Sequence, residues 1–184
     1  MRLRVIILLA KGFEEMEAII SIDIMRRAGI DVLIVCIDND LLVEGSRKIS
    51  VQGQLRLEDV DFIPDALILP GGMPGAKNLE ESGVVIDLIK KTASQGKIIA
   101  AICASPAHAL VKAKVLEGKR ATCYPGEEKL FSSNTIYEKN DVVVDGNIIT
   151  SVGPGTTFKF AIEIVRKLCG QNIADNVEQA AILK

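Results

Sequence analysis

The sequence has a single histidine, His108, in 184 residues, and none of its four cysteines forms a C-x-x-C pair. A zinc centre of Cys and His ligands needs closer clustering than Cys36, Cys103, Cys123 and Cys169 provide. A basic excess is missing too: the net charge is -2, and Arg26-Arg27 and Lys90-Lys91 are isolated pairs. Phosphate-binding domains show the opposite balance, so no specific nucleic-acid partner is expected. No apolar run reaches the length of a membrane span. The basic start Met1-Arg2-Leu3-Arg4 and apolar Val5 to Ala10 resemble the opening of an export signal. That run ends at Lys11, three glutamates follow within six residues, and no small-residue cleavage site appears. A buried strand is the better reading. Neither export nor a membrane is expected, the cytoplasm is the expected compartment, and disulfides are not expected there. Repeats, low-complexity tracts and linkers are also lacking, so residues 1–184 read as one domain.

What is present is the balance of a globular protein, 48% apolar and 25% charged, on a chain long enough to bury a core without staples. Val5 to Ala10, Asp31 to Cys36, Ala66 to Leu69 and Lys97 to Ile102 read as strands, most of them apolar on both faces. Amphipathic stretches lie between and after them: Phe13 to Ala28 before Gly29, Val84 to Ala93, Ser105 to Val115, Thr156 to Leu168, and a short helix around Asp175 to Ala180. Ile49 to Leu57 reads as a peripheral strand or hairpin. Ile136-Tyr137, Val142 to Val144 and Ile148 to Thr150 read as shorter strands, the last two joined by an Asp145-Gly146-Asn147 turn. Strands alternating with helices predict a three-layer α/β/α sandwich with a doubly wound, mostly parallel sheet. Ligands of such sheets gather at the carboxyl ends of the strands. The loops of interest therefore follow Ala10, Leu69, Ile102 and Thr150.

Cys103 follows Ile102 directly and is followed by Ala104-Ser105-Pro106-Ala107, which opens a helix. The small residues Ala100, Ala101, Ala104 and Ala107 let strand and helix meet at a sharp turn, the layout of a nucleophile elbow. A thiol there sits at a helix N-terminus, whose free amides are expected to lower its pKa. The plainer reading is a small core residue, which suffices for the other three cysteines. Pro70-Gly71-Gly72-Met73-Pro74-Gly75 is a second component, because a Gly-Gly strand end lets backbone amides aim at a developing oxyanion. Alone it is an ordinary turn.

In Glu14-Glu15-Met16-Glu17, carboxylates in a first helical turn complement the dipole. Glu17 also shares an inward-facing row with Ile20 and Ile24, so a raised pKa and a role as protonated acid or general base beside Cys103 are expected. His108 lies five residues past Cys103, roughly 140° round the helix and about 7.5 Å along it, so a Cys-His dyad is not expected. His108 reads as a surface or packing residue. Gly153-Pro154-Gly155-Thr156 matches no nucleotide-binding fingerprint and reads as a turn with Thr156 as N-cap, the alternative being an anion site at that helix start.

Taken in order, Leu9 to Glu17, Met25 to Ile30, Leu69 to Gly72, Ala100 to Ala104 and Gly153 to Thr156 resemble the ThiJ/PfpI (DJ-one) superfamily, in its YajL-like and Parkinsonism-associated deglycase branch. The resemblance implies a flavodoxin-like sandwich working as a homodimer. It matches Cys103 to an oxidation-prone nucleophile and Glu17 to a protonated acid that hydrogen-bonds its sulfur. Gly71, Gly72 and Ala104 match amide positions around the reacting oxygen, and Arg47 a polar residue near the site. Glu14, Asp23 and Arg27 match the helix region that supports the dimer. Tyr124 stands where some members place a histidine, which suits the YajL-like branch and weakens a protease or amidotransferase reading.

The implied activity is cofactor-independent removal of reactive dicarbonyls or their early protein adducts, in the manner of a glyoxalase III or a deglycase, with no metal. Its substrate would be a small carbonyl compound or a glycated protein side chain. The alternative is an oxidative-stress sensor or redox-regulated chaperone acting through oxidation of Cys103. Thiazole or thiamin biosynthesis follows from family naming alone.

Overall fold

The computed structural model describes residues 3–183. Met1, Arg2 and Lys184 lie outside them, and with the first two goes part of the chain's basic start. The chain runs through β1 (Arg4–Leu9), α1 (Glu15–Arg27), β2 (Asp31–Cys36), β3 (Leu42–Glu44), β4 (Ser50–Gln52), β5 (Leu55–Arg56), β6 (Ala66–Leu69), α2 (Gly75–Glu81), α3 (Gly83–Ser94) and β7 (Ile98–Ile102). A π-helical turn (Pro106–Leu110) follows, then β8 (Arg120–Ala121), β9 (Ile136–Tyr137), β10 (Val142–Asp145), β11 (Ile148–Ser151), α4 (Thr157–Cys169) and α5 (Gln171–Ala180).

Seven strands form one sheet in the order β10-β11-β7-β6-β1-β2-β5, parallel throughout except for β10 at the edge. The predicted sandwich is therefore the observed one. Its middle strands carry the flavodoxin-like order, in which the chain reverses direction across the sheet beside β1. Pleating explains why β1 is apolar at every position after the exposed Arg4. Val5, Ile7 and Leu9 enter the core with α1, α4 and α5, while Ile6, Leu8 and Ala10 enter the core with α2, α3 and the π turn. Val5 to Leu9 are each wholly buried, a contribution of about 1.5–3 kcal/mol per side chain.

The differences from expectation are local. Helix α2 shows no apolar stripe, since its inward contacts come from Ala76 and Leu79 among polar neighbours. Ser82 separates it from α3, and its hydroxyl accepts from the Val85 amide. The Ile49–Leu57 stretch divides into β4, which pairs with the unforeseen β3, and β5, which joins the main sheet. β8 is likewise unforeseen, and it pairs with β9. The regular helix expected from Ser105 to Val115 is instead the π turn with a short α continuation. Thr156 does not cap α4 through its side chain. Its Oγ1 is taken up by the Gly153 backbone and Ser151 Oγ, so the Gly-Pro-Gly-Thr turn closes on itself.

Candidate active site

The loops after β1, β6 and β7 meet at the carboxyl end of the sheet, next to the point where its winding reverses. Cys103 directly follows β7 with φ of 64°, a left-handed conformation that costs a non-glycine residue about 1–3 kcal/mol. Both of its backbone groups hold it there: its amide donates to Ser151 O at 2.9 Å, and its carbonyl accepts from the Tyr124 amide at 2.8 Å. The buried Ser105 hydroxyl ties the turn to the neighbouring loop by donating to Pro70 O at 2.5 Å. Cys103 as a residue is 8% exposed, and all four cysteines are free thiols.

Glu17 comes from the first turn of α1 and is wholly buried. The Glu14 carboxylate caps that turn by accepting from the Glu17 amide at 2.8 Å. Glu17 Oε2 accepts from the Gly71 amide at 2.7 Å, while Oε1 is sealed from solvent without a hydrogen-bond partner. Glycine is required in this loop by close approach. A Cβ on Gly71 would stand 2.6 Å from Cys103 Cβ. Gly72 has φ of 85°, and a Cβ there would stand 2.5 Å from the Glu14 nitrogen.

Burial pushes the Glu17 carboxyl up to about 8, against the pull of the Gly71 amide. The expected lowering of the Cys103 pKa is not what the site produces. Burial first, and then the charge of an ionised Glu17, push the thiol up to about 12, while the Gly72 and Ala104 amides pull the other way. Burial outweighs the helix-end amides because the sulfur lies under the surface. The two groups form one coupled pair, and the repulsion from Glu17 vanishes when Glu17 holds a proton. A thiolate at Cys103 therefore goes with a protonated Glu17.

Gly71 was expected among the oxyanion donors. Its N–H is bonded to Glu17 instead, which leaves the Gly72 and Ala104 amides directed at the sulfur. Glu14, expected to support a dimer, is buried as the cap of α1 and lines the pocket over Cys103. Asp23 and Arg27 pair at 2.6 Å on the exposed face of α1. Arg47 and Tyr124 both line the pocket, which has a volume of about 370 Å³ and reaches Gly72, Met73, Cys103 and Ala104. The loop carrying Arg47 is clamped by Glu15, whose Oε1 accepts from the Arg47 amide at 2.6 Å and the Ile49 amide at 3.3 Å.

Glu15, Ser46, Glu127 and Pro154 are site features that sequence reasoning missed. Pro154 carried a signal through its Gly-Pro-Gly-Thr turn, and Glu15 through the acidic cluster that opens α1. His108 turns away from the sulfur and packs between Glu80 and Glu127. Among the described residues, no three His, Cys, Asp or Glu side chains gather as a metal-binding group, and no helix is long and apolar enough to cross a membrane.

The family model for DJ-1/PfpI matches residues 3–167. The chain belongs to the DJ-1/PfpI family. It is 40% identical to the Parkinson disease protein 7 homolog of Danio rerio, over 98% of this chain and 97% of that protein. It is 38% identical to Protein DJ-1 homolog B of Arabidopsis thaliana, over 98% of this chain but 42% of that longer protein. A Caenorhabditis elegans member named glutathione-independent glyoxalase DJR-1.2 is 35% identical, over 90% of this chain and 88% of that protein. The crystal structure of Drosophila melanogaster DJ-1beta superposes with a TM-score of 0.95 at 38% identity, covering all of both chains.

Proposed function

We propose that this protein converts small reactive dicarbonyls, methylglyoxal foremost, to hydroxy acids without glutathione, or removes their early adducts from protein side chains. The observation that supports this best is the Cys103–Glu17 pair: a strained, pocket-facing thiol against a buried carboxyl with one oxygen fixed by Gly71 and the other unpartnered. The likeness to a member named as a glutathione-independent glyoxalase points the same way.

In this reading the Cys103 sulfur adds to the aldehyde carbon, and the carbonyl oxygen takes up a proton to give a hemithioacetal. The Gly72 and Ala104 amides hold the developing oxyanion. Glu17 removes the proton from the thiol-bearing carbon and returns one to the neighbouring carbon through an enediol. The oxidation level moves from one carbon to the next, so no external oxidant, metal or organic cofactor enters. The product is an S-lactoyl thioester, and water releases lactate and regenerates the thiol. Tyr124 and Arg47 bound the substrate. Two subunits join across α1, where Met16 and Ile19 are exposed beside the Asp23–Arg27 pair. A reducing compartment such as the cytoplasm keeps the thiol available.

Incubation with methylglyoxal in the absence of glutathione tests the reading. Lactate should appear in proportion to the methylglyoxal consumed. Consumption without lactate, or no consumption, overturns it. The second reading, a redox sensor, draws on the same pocket-lining thiol and buried acid. It predicts peroxide-driven oxidation of Cys103 that changes the protein's behaviour without any carbonyl turnover.

A further inference from the structure

The final step of that chemistry needs a base that sees both the thioester and water. Glu17 cannot be that base: it is wholly buried, and its Oε2 is bonded to Gly71. Glu14 is fixed as the cap of α1. The third pocket carboxylate, Glu127, is held differently. It follows the Tyr124-Pro125-Gly126 turn, its amide donates to Tyr124 O at 3.0 Å, and its side chain is 33% exposed. It thus lines the Cys103 pocket while remaining in contact with solvent.

His108 holds Glu127 in place. The imidazole Nε2 is 3.3 Å from Glu127 Oε2, and Nδ1 is 2.7 Å from Glu80 Oε2. The Nδ1 contact is a hydrogen bond whose donor depends on the tautomer, and the Nε2 contact is a close approach that becomes an ion pair when the ring is protonated, so the imidazole lies between two carboxylates. The ring is 13% exposed, so it has little freedom to swing away. The His108 amide donates to Ala104 O at 3.1 Å, which registers the ring against the nucleophile turn itself. Among the described residues nothing donates to Glu127 Oε1, which is the oxygen left to take a proton from water.

We propose that Glu127, positioned by His108, is the general base that activates water to hydrolyse the acyl group from Cys103. This inference rests on the carbonyl reading of the site. In the step, a water proton passes to Glu127 Oε1 while the water oxygen bonds to the thioester carbon. The carbon–sulfur bond breaks, sulfur regains a proton, and the hydroxy acid leaves. Glu127 touches the reacting water and is catalytic in that sense, whereas His108 acts only through Glu127.

The test is steady-state kinetics of E127Q with methylglyoxal, joined to intact-protein and peptide mass spectrometry of the quenched reaction. Slowed deacylation should lower kcat by roughly 10²–10⁴ and lower KM with it, leaving kcat/KM nearly unchanged. The mass of one methylglyoxal should accumulate on the Cys103 peptide. H108A should lower kcat about tenfold with the same proportional fall in KM, and H108Q, which keeps a donor to Glu127, should recover most of the rate. E127D, which keeps the carboxylate, should lie between wild type and E127Q. A wild type that forms no lactate overturns the carbonyl reading and this inference with it. A wild type that forms lactate overturns this inference alone if E127Q keeps its kcat, or if kcat and kcat/KM fall together with no adduct.

Discussion

Cys103 and Cys123 are instructive to set side by side. Both follow strands, both are under the surface, and burial pushes both thiols up to about 12. Both also feel carboxylates, Glu17 in one case and Glu127 with Glu128 in the other. They are joined through the bond from the Tyr124 amide to Cys103 O. Yet Cys103 edges into a pocket, receives the Gly72 and Ala104 amides, and faces an acid pushed up to about 8. Cys123 is wholly enclosed, with no amide directed at it. The difference teaches that a low intrinsic thiol pKa is not what marks the reactive centre. What marks it is a neighbour that can hold the proton when the sulfur gives it up.

The comparison can be broken most forcefully at that neighbour. E17Q removes the proton partner while keeping the shape, and kcat for methylglyoxal should fall by roughly 10²–10⁴. A fall of less than tenfold would leave Cys103 without its distinguishing feature. The same variant sharpens the electrostatics. A carboxyl raised from 4.5 to about 8 in the folded state keeps a proton that the unfolded chain releases. That stabilisation is complete below 4.5 and is lost as pH rises to about 8. Wild-type stability should decline across this window by on the order of 4 kcal/mol relative to E17Q, a slope that denaturant unfolding at several pH values would read. Equal slopes would mean that Glu17 ionises freely.

The backbone donors are the next lever. G72A forces a side chain onto a φ of 85° and against the Glu14 nitrogen, and should destabilise the fold by about 2–3 kcal/mol in thermal or urea unfolding. Mild peroxide should then separate the two thiols directly: two oxygens on Cys103 and none on Cys123, by peptide mass spectrometry. At the small end, D23A removes an exposed ion pair and should shift monomer stability by no more than about 0.5 kcal/mol, with turnover unchanged.

Much of this arrangement was legible in the residues because it is local. The apolar runs at Val5, Ala66 and Ile98 could only be strands covered on both sides, and Ile102-Cys103-Ala104 is a strand meeting a helix at small side chains. Glu17 stood out because a carboxylate lay on an inward row, although Ile20 in that row is only half-buried. What escaped depends on chain segments meeting across long distances. The Gly71 amide reaches Glu17 from 54 positions away, and Glu80 and Glu127 reach His108 from opposite sides in sequence. Helix α2 escaped because Ala76 and Leu79, its only buried apolar side chains, make no stripe. The direction of the Cys103 shift escaped because a helix N-terminus is visible in sequence, whereas the depth of the sulfur beneath the surface is not.

The most direct test of the reading is the rate of lactate formation from methylglyoxal by C103A and C123A, measured beside wild type without glutathione. The account predicts no formation above background for C103A and a rate within about twofold of wild type for C123A, whose enclosed thiol only packs. Lactate formed by C103A at a wild-type rate, or abolished equally in a folded C123A, would contradict it.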